Sequence, residues 1–90
     1  MRLELDQTGD YVLDPAFLAP RLSIETNELR RRMRLGLVTS LVERGEGSDE
    51  GRKRLTVRNG HAVWRGIIDA DNCIVSEESI DLRQSPALAG

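Results

Sequence analysis

The sequence has 90 residues, of which 31% are charged and only 3% aromatic, and its formal net charge is -2. This length supports one domain with a modest core of mainly Leu, Val and Ile, and the low net charge excludes a strong overall attraction to nucleic acid or anionic membranes. The charge is unevenly spread along the chain. Residues 1–29 contain two Arg and six acidic residues (-4), and residues 66–90 contain one Arg and five acidic residues (-4). Residues 30–65 between them contain ten Lys or Arg and four acidic residues (+6). A basic middle between acidic ends can neutralise itself within the fold or pair with a second copy in a homodimer.

The N-terminal third predicts a short hairpin followed by two short helices. Residues 1–14 alternate around Thr8-Gly9-Asp10, which indicates two short strands and a tight turn. Asp14-Pro15 is a typical helix start, and we expect this helix to run from Pro15 to about Ala19, where Pro20 should end it. A second helix should begin at Glu25 or Thr26 and end at Leu35, with Gly36 as its C′ residue.

The remainder of the chain predicts an antiparallel meander. Residues 37–44 form a β-branched, Leu-rich strand, and residues 45–51 form a polar loop with three glycines, which we expect to be mobile. Residues 53–69 should form a hairpin around Asn59-Gly60, since Asn-Gly favours a type I′ turn. Residues 73–76 should return as a further strand after a turn at 69–72, and this strand could extend to Leu82 past a break near Glu77 and Glu78. Residues 1–83 should form the domain, and residues 84–90 a flexible tail.

The central hairpin should have one apolar and one basic face. With Asn59 and Gly60 as loop residues, Leu55 would lie opposite Trp64. Side chains alternate between the two faces of a strand, so the apolar face should carry Leu55, Val57, Ala62, Trp64 and Ile68. The basic face should carry Arg54, Thr56, Arg58, His61, Val63 and Arg65. The sequence therefore predicts an α+β domain with about four antiparallel strands, an N-terminal β-hairpin, and two short helices packed on one sheet face.

The first candidate partner-binding surface is the second helix, which contains Arg30, Arg31 and Arg34. Residues 18–34 resemble a helix-turn-helix motif with a turn at Ser23, and the later hairpin could act as a β-wing beside DNA. Pro20 within the first helix and Glu25 and Glu28 at the start of the second depart from that pattern. A short amphipathic helix with a solvated Arg face is the favoured interpretation.

The second candidate surface is the basic hairpin face, with Arg54, Arg58, His61 and Arg65. It could hold an acidic partner or a phosphate backbone. Alternatively its charges meet Glu43, Glu46, Asp49 and Glu50 on the neighbouring strand and loop, and this second interpretation is favoured. Arg54 opposite Arg65 would require such a counter-charge.

No pattern for catalysis, metal binding or cofactor binding is recognisable. His61 is the sole histidine and Cys73 the sole cysteine, so an internal disulfide is impossible and a metal site at His61 is not expected. Glu77 and Glu78 are adjacent in a strand and point to opposite faces. No apolar run approaches the length of a membrane span, and a single cysteine fits a reducing compartment. We therefore expect a cytoplasmic, non-enzymatic protein without a cofactor.

Residues 32–47, 51–57 and 63–69 carry a family resemblance. They read Arg-Met-Arg-Leu-Gly-Leu-Val-Thr-Ser-Leu-Val-Glu-Arg-Gly-Glu-Gly, Gly-Arg-Lys-Arg-Leu-Thr-Val and Val-Trp-Arg-Gly-Ile-Ile-Asp. This pattern resembles a family of small uncharacterised proteins, a domain of unknown function common in proteobacteria. The resemblance covers most of residues 3–82, and implies a bacterial, cytoplasmic, single-domain protein but no activity.

The leading functional hypothesis is a small accessory or regulatory binding module that acts through protein contacts, as a homodimer. The alternative is a DNA-binding helix-turn-helix regulator with a β-wing. Exposed arginines on one protruding helix beside a basic wing would favour the regulator, and an exposed apolar patch would favour the binding module.

Overall fold

The computed structural model describes residues 2–45 and 51–84 and contains two α-helices and a four-stranded sheet. The helices are α1 (Pro15–Arg21) and α2 (Thr26–Arg34). The strands are β1 (Val38–Arg44), β2 (Lys53–Asn59), β3 (Ala62–Ile68) and β4 (Ile74–Asp81), and a 3₁₀ turn, Leu82–Gln84, follows. All neighbouring strands are antiparallel, in the order β1-β2-β3-β4. This architecture confirms the predicted α+β meander. The predictions for a mobile loop at residues 45–51 and a flexible tail at residues 84–90 fall mostly on residues 46–50 and 85–90, which lie outside the described ranges.

The N-terminal segment forms a hairpin reduced to a single bridge between Leu5 and Tyr11. The carboxylate of Asp6 closes its turn by accepting hydrogen bonds from the backbone N–H groups of Thr8 at 2.9 Å and Asp10 at 3.0 Å. These bonds also lower the pKa of Asp6, the Thr8 hydroxyl contributing most. A second bridge, from Arg2 to Cys73, fixes the segment beside the start of β4.

Helix α1 begins where the sequence predicts and continues two residues further. Asp14 caps it, because its Oδ1 accepts a hydrogen bond from the N–H of Ala16 at 2.9 Å. The expected end at Ala19 was wrong, since the helix continues through Pro20 to Arg21. Pro20 lies in the last turn, where its fixed φ is helical and only its own missing N–H is lost from the ladder.

Both helices end in Schellman motifs. After α1, Ser23 has a φ of +56°, and the N–H of Ile24 donates to the carbonyl of Ala19 at 3.0 Å. After α2, Gly36 has a φ of +72°, and the N–H of Leu37 donates to the carbonyl of Arg32 at 2.9 Å. The prediction of Gly36 as the C′ residue is confirmed.

The β2–β3 hairpin turns one residue later than predicted. Asn59 pairs with Ala62, Val57 with Trp64 and Leu55 with Gly66, so the loop residues are Gly60 and His61. Gly60 has a φ of +60°, whereas Asn59 stays in the strand without positive φ. Positive φ at the first loop residue alone is the pattern of a type II′ turn, so the predicted type I′ turn was wrong. The sum of the paired residue numbers increases by two, so every side chain within the two strands stays on its predicted face, whereas His61 lies in the turn and not on the strand face where it was expected.

One face of the sheet packs against the helices, and we call it the inner face. Leu55, Val57, Trp64 and Ile68 on this face are each 1% exposed or less. Leu18, Leu22 and Leu29 of the helical half meet them, and Leu3 and Ala19 complete the core cluster. The ring of Trp64 meets that of Phe17 edge to face, with centroids 5.7 Å apart. The predicted burial of Trp64 against the helices is confirmed.

Candidate partner-binding surfaces

The opposite side of the sheet, the outer face, carries the basic residues of the hairpin. Two of them form ion pairs across strands: Arg54 Nη2 lies 2.9 Å from Glu43 Oε1, and Arg65 Nη1 lies 3.2 Å from Glu78 Oε1. In the observed register Arg54 lies opposite Glu43 and Ile67, and Arg65 lies opposite Thr56 and Glu78. The expected Arg54–Arg65 opposition was therefore wrong. Local acids neutralise both cations.

The other two basic residues of this face lie near the β2–β3 turn. The Nε of Arg58 donates to the carbonyl of Gly60 at 2.9 Å, and His61 is exposed in the turn itself. Val63, predicted on the same solvated face, is only 5% exposed. It is flanked across the strands by Arg58 and Ile80, whose longer side chains shield it from water. The outer face is therefore a mixed surface and not a continuous basic one.

Helix α2 places its arginines on the other side of the molecule. Leu29 is fully buried and Met33 is half-buried, so α2 packs this stripe against the inner face. Arg31 Nη2 lies 2.6 Å from Glu28 Oε1. This contact lowers the pKa of Glu28 and raises that of Arg31. Arg30 and Arg34 are exposed, and form no ion pair within the described part of the chain.

The two predicted basic surfaces therefore do not come together. Arg30, Arg31 and Arg34 lie on the helical side of the sheet, whereas Arg54, Arg58 and Arg65 lie on its outer face. Their electrostatic fields point in different directions. Only Arg30, Arg34, Arg58 and His61 among the predicted site residues lack an acidic partner within residues 2–45 and 51–84.

A third surface was not predicted and lies along the edge strand β1. Four large apolar side chains in this region are exposed: Leu35 by 57%, Leu37 by 51%, Leu41 by 58% and Val42 by 44%. Their segment, residues 35–42, runs from the C-cap of α2 into β1, and we call it the β1 surface. Strand β1 pairs only with β2 among the described residues. The sequence signal was available, because residues 37, 38, 41 and 42 place apolar side chains on both faces of the strand. The predicted meander places β1 at an edge, but a strand with apolar side chains on both faces is typical of a central, buried position, so the exposure of these side chains was not expected.

Two clefts flank the helical half. One, of about 440 Å³, lies between the N-terminal segment and α1 and is mainly apolar, with Phe17, Leu55 and Trp64 in its wall. The other, of about 450 Å³, lies beside the β2–β3 turn and includes Arg32, His61, Asp81 and Arg83. Arg83 pairs with Asp81 at 3.1 Å and lowers the pKa of that carboxyl group. In residues 2–45 and 51–84, no three His, Cys, Asp or Glu side chains gather closely enough to hold a metal ion.

A family model described as a family of unknown function, DUF6522, matches residues 1–88. The chain belongs to this family. The DUF6522 match spans both helices and all four strands of the domain described above. No curated protein and no solved structure matches the chain. None of the helices in the described part of this DUF6522 protein has the length and apolar character needed to cross a membrane.

Proposed function

We propose that this DUF6522 protein is a small, non-catalytic accessory or regulatory module that acts through protein contacts in the bacterial cytoplasm. The observation that carries the proposal is the β1 surface. Exposed apolar side chains scattered singly are normal on soluble proteins, whereas several of them along one unpaired sheet edge favour an interaction site. Leu35, Leu37, Leu41 and Val42 fall within eight consecutive residues and are each at least 44% exposed.

The backbone of β1 adds to this argument. An edge strand presents unpaired N–H and C=O groups, which a further strand can accept. The other edge, β4, carries Glu77, Glu78 and Asp81 and a bulge near Ile67 and Ile68, features that commonly discourage pairing. Strand β1 has no bulge, and its charges, Glu43 and Arg44, lie together at its C-terminal end. The apolar centre of β1 therefore offers both main-chain and side-chain contacts to a partner.

The alternative, a DNA-binding regulator, is not favoured. It would require the α2 arginines and the hairpin to form one basic surface, but they lie on different sides of the sheet. The ion pairs of Arg54 and Arg65 further reduce the positive potential of the hairpin.

Site-specific photo-crosslinking in the host cell tests the proposal. A photoreactive amino acid replaces Leu41 in one variant and Leu5 in the control, since Leu5 is a comparably exposed leucine (45%) away from β1. We expect discrete protein adducts from position 41 and few from position 5. Absence of any adduct from position 41, including one with a second copy, would refute the proposed function. Equal adducts from both positions would refute the assignment to β1.

A further inference from the structure

We infer that the first partner of the β1 surface is a second copy of this chain. The two β1 strands pair antiparallel about a two-fold axis, which joins two four-stranded sheets into one of eight strands. This inference rests on the proposed function, because it names the occupant of the same surface. Three features of β1 support it: the direction of its free hydrogen-bonding groups, its charge pattern and the exposure of Leu41.

The direction of the free backbone groups follows from the β1–β2 ladder. The N–H of Gly45 donates to the carbonyl of Arg52 at 2.9 Å, which continues the β1–β2 register by one pair. Hydrogen-bonded and non-hydrogen-bonded pairs alternate in an antiparallel ladder. The odd-numbered residues of β1 therefore bond to β2, and the even-numbered residues direct their N–H and C=O groups outward. The outward set comprises Val38, Ser40, Val42 and Arg44.

One symmetric register uses all of these groups. If Leu41 lies opposite Leu41 of the second copy, Val38 lies opposite Arg44 and Ser40 opposite Val42, so all seven residues of β1 are paired. Every outward-facing residue then occupies a hydrogen-bonded pair. The two Leu41 residues form the non-hydrogen-bonded pair at the centre, where side chains approach most closely. A side chain that is 58% exposed in one copy thereby becomes the centre of the contact.

The charges of β1 are compatible with this register. Glu43 lies opposite Thr39 of the second copy, and Arg44 opposite Val38, so no like charges face each other. The same operation applied to β4 does place like charges together. A two-fold pairing of β4 near its centre sets either Glu77 or Glu78 opposite its own copy, which is unfavourable. Self-pairing is therefore more favourable at the β1 edge than at the centre of β4.

Sedimentation equilibrium of the purified 90-residue chain is the primary test, with matched proline substitutions at the two edges. Ser40→Pro removes an outward N–H of β1, which the monomer does not use, and proline is tolerated at such edge positions. Ser79→Pro is the control on β4. The N–H of Leu82 donates to the carbonyl of His61, which continues the β3–β4 register, so the even-numbered residues of β4 bond to β3. The odd-numbered residues, among them Ser79, therefore direct their N–H groups outward. We expect a dimer for the wild type and for Ser79→Pro, and a dissociation constant raised by about tenfold or more for Ser40→Pro.

Cysteine crosslinking tests the register and does not depend on how Ser40→Pro folds. In a Cys73→Ala background, Leu41→Cys should form a disulfide-linked dimer, since Cα atoms in a central non-hydrogen-bonded pair lie about 4.5 Å apart. Thr39→Cys, on the same face, should not, because the two copies of residue 39 are displaced along the strands.

A wild-type chain that stays monomeric, dissociation caused by Ser79→Pro alone, or equal crosslinking at positions 39 and 41 would each overturn the inference. A monomer whose position 41 still crosslinks to another protein in the cell would leave the proposed function standing and refute only self-pairing.

Discussion

The six-membered ring of Trp64 lies directly over the backbone of Gly66, its neighbour two residues along the inner face of β3. A β-carbon placed on Gly66 would lie 2.6 Å from Cη2 and 2.9 Å from Cζ2 of the indole, which is closer than real contacts allow. The ring is 1% exposed and is also held by Phe17, so it has little room to move. Glycine is therefore required at position 66 by the tryptophan beside it.

Gly66→Ala should lower the free energy of unfolding by about 1–3 kcal/mol, the usual cost of overpacking a core. Urea denaturation measures it. In the Trp64→Leu background the same change should cost much less, because the clashing ring is absent. Equal costs in both backgrounds would contradict the Trp64–Gly66 contact.

Trp64→Ala should cost about 3–5 kcal/mol, a large part of the stability of a small domain. It removes the largest fully buried side chain and its contact with Phe17. Since Trp64 is the only tryptophan, native fluorescence should be blue-shifted and should move to the red on unfolding. A native emission maximum typical of solvent-exposed tryptophan would show that the burial is wrong.

Gly60→Val should destabilise the hairpin through backbone strain. Gly60 has a φ of +60°, and no heavy atom lies within 4 Å of a β-carbon placed there, so steric contact does not contribute. A backbone conformation with positive φ costs a residue that has a β-carbon about 1–3 kcal/mol. Gly60→Asn should be milder, since Asn tolerates this region better. Thermal unfolding of the wild type, Gly60→Asn and Gly60→Val should give melting temperatures that fall in this order. A wild-type melting temperature for Gly60→Val would disprove the positive φ at Gly60.

Glu77 should make stability depend on pH in the acidic range. The Arg21 guanidinium and the Trp64 indole N–H both donate to its carboxylate and lower its pKa below the ordinary 4.5. A lowered folded-state pKa means that the stabilisation is complete above the unfolded-state pKa and is lost as the pH falls through the folded-state value. The wild type should therefore lose stability below about pH 4.5 more steeply than Glu77→Gln.

The control for Glu77 is Glu78→Gln, the next residue along β4. Its carboxylate meets Arg65 on the outer face at 3.2 Å and does not contact Trp64. Melting temperatures from pH 3 to 7 would separate the two variants. Identical profiles for Glu77→Gln and the wild type would show that the Glu77 contacts do not stabilise the fold.

Binding to duplex DNA should be weak and non-specific, with a dissociation constant of about 10⁻⁴ M or poorer at physiological salt. The reason is the placement of the α2 and hairpin arginines on opposite sides of the sheet. Fluorescence anisotropy with random and native-promoter duplexes measures the affinity. Sub-micromolar binding that is lost in Arg30→Ala/Arg34→Ala, but kept in Arg54→Ala/Arg58→Ala, would favour the regulator.

Local signals predicted most of the fold. Asp14-Pro15, Gly36 and the alternation of residues 53–68 each act within a few residues, and the structure confirms the elements that they predict. The turn position was harder, because Asn59-Gly60 and Gly60-His61 both place a glycine at positive φ. The extension of α1 through Pro20 depends on its packing, since Leu18, Ala19 and Leu22 are all buried in the core.

The candidate surfaces depend on spatial arrangement and were less predictable. Ion pairs such as Glu43–Arg54 follow from the register. The need for glycine at position 66 could not be predicted, because it depends on the rotamer that Trp64 adopts in the core. The meander places β1 at an edge, but the exposure of its apolar side chains depends on what packs against them, which neither composition nor periodicity encodes.

The meander has a kinetic consequence. Every strand pairs with its neighbour in the chain, so most contacts close short loops, and a low contact order favours rapid folding. The N-terminal segment is different, because Leu3 and Tyr11 both bond to Asn72, and the Tyr11 contact spans 61 positions. The contact between the N-terminal segment and Asn72 closes a longer loop, which costs more conformational entropy, so this contact should form after the sheet. Substitutions at Tyr11 should therefore accelerate unfolding and leave the folding rate nearly unchanged.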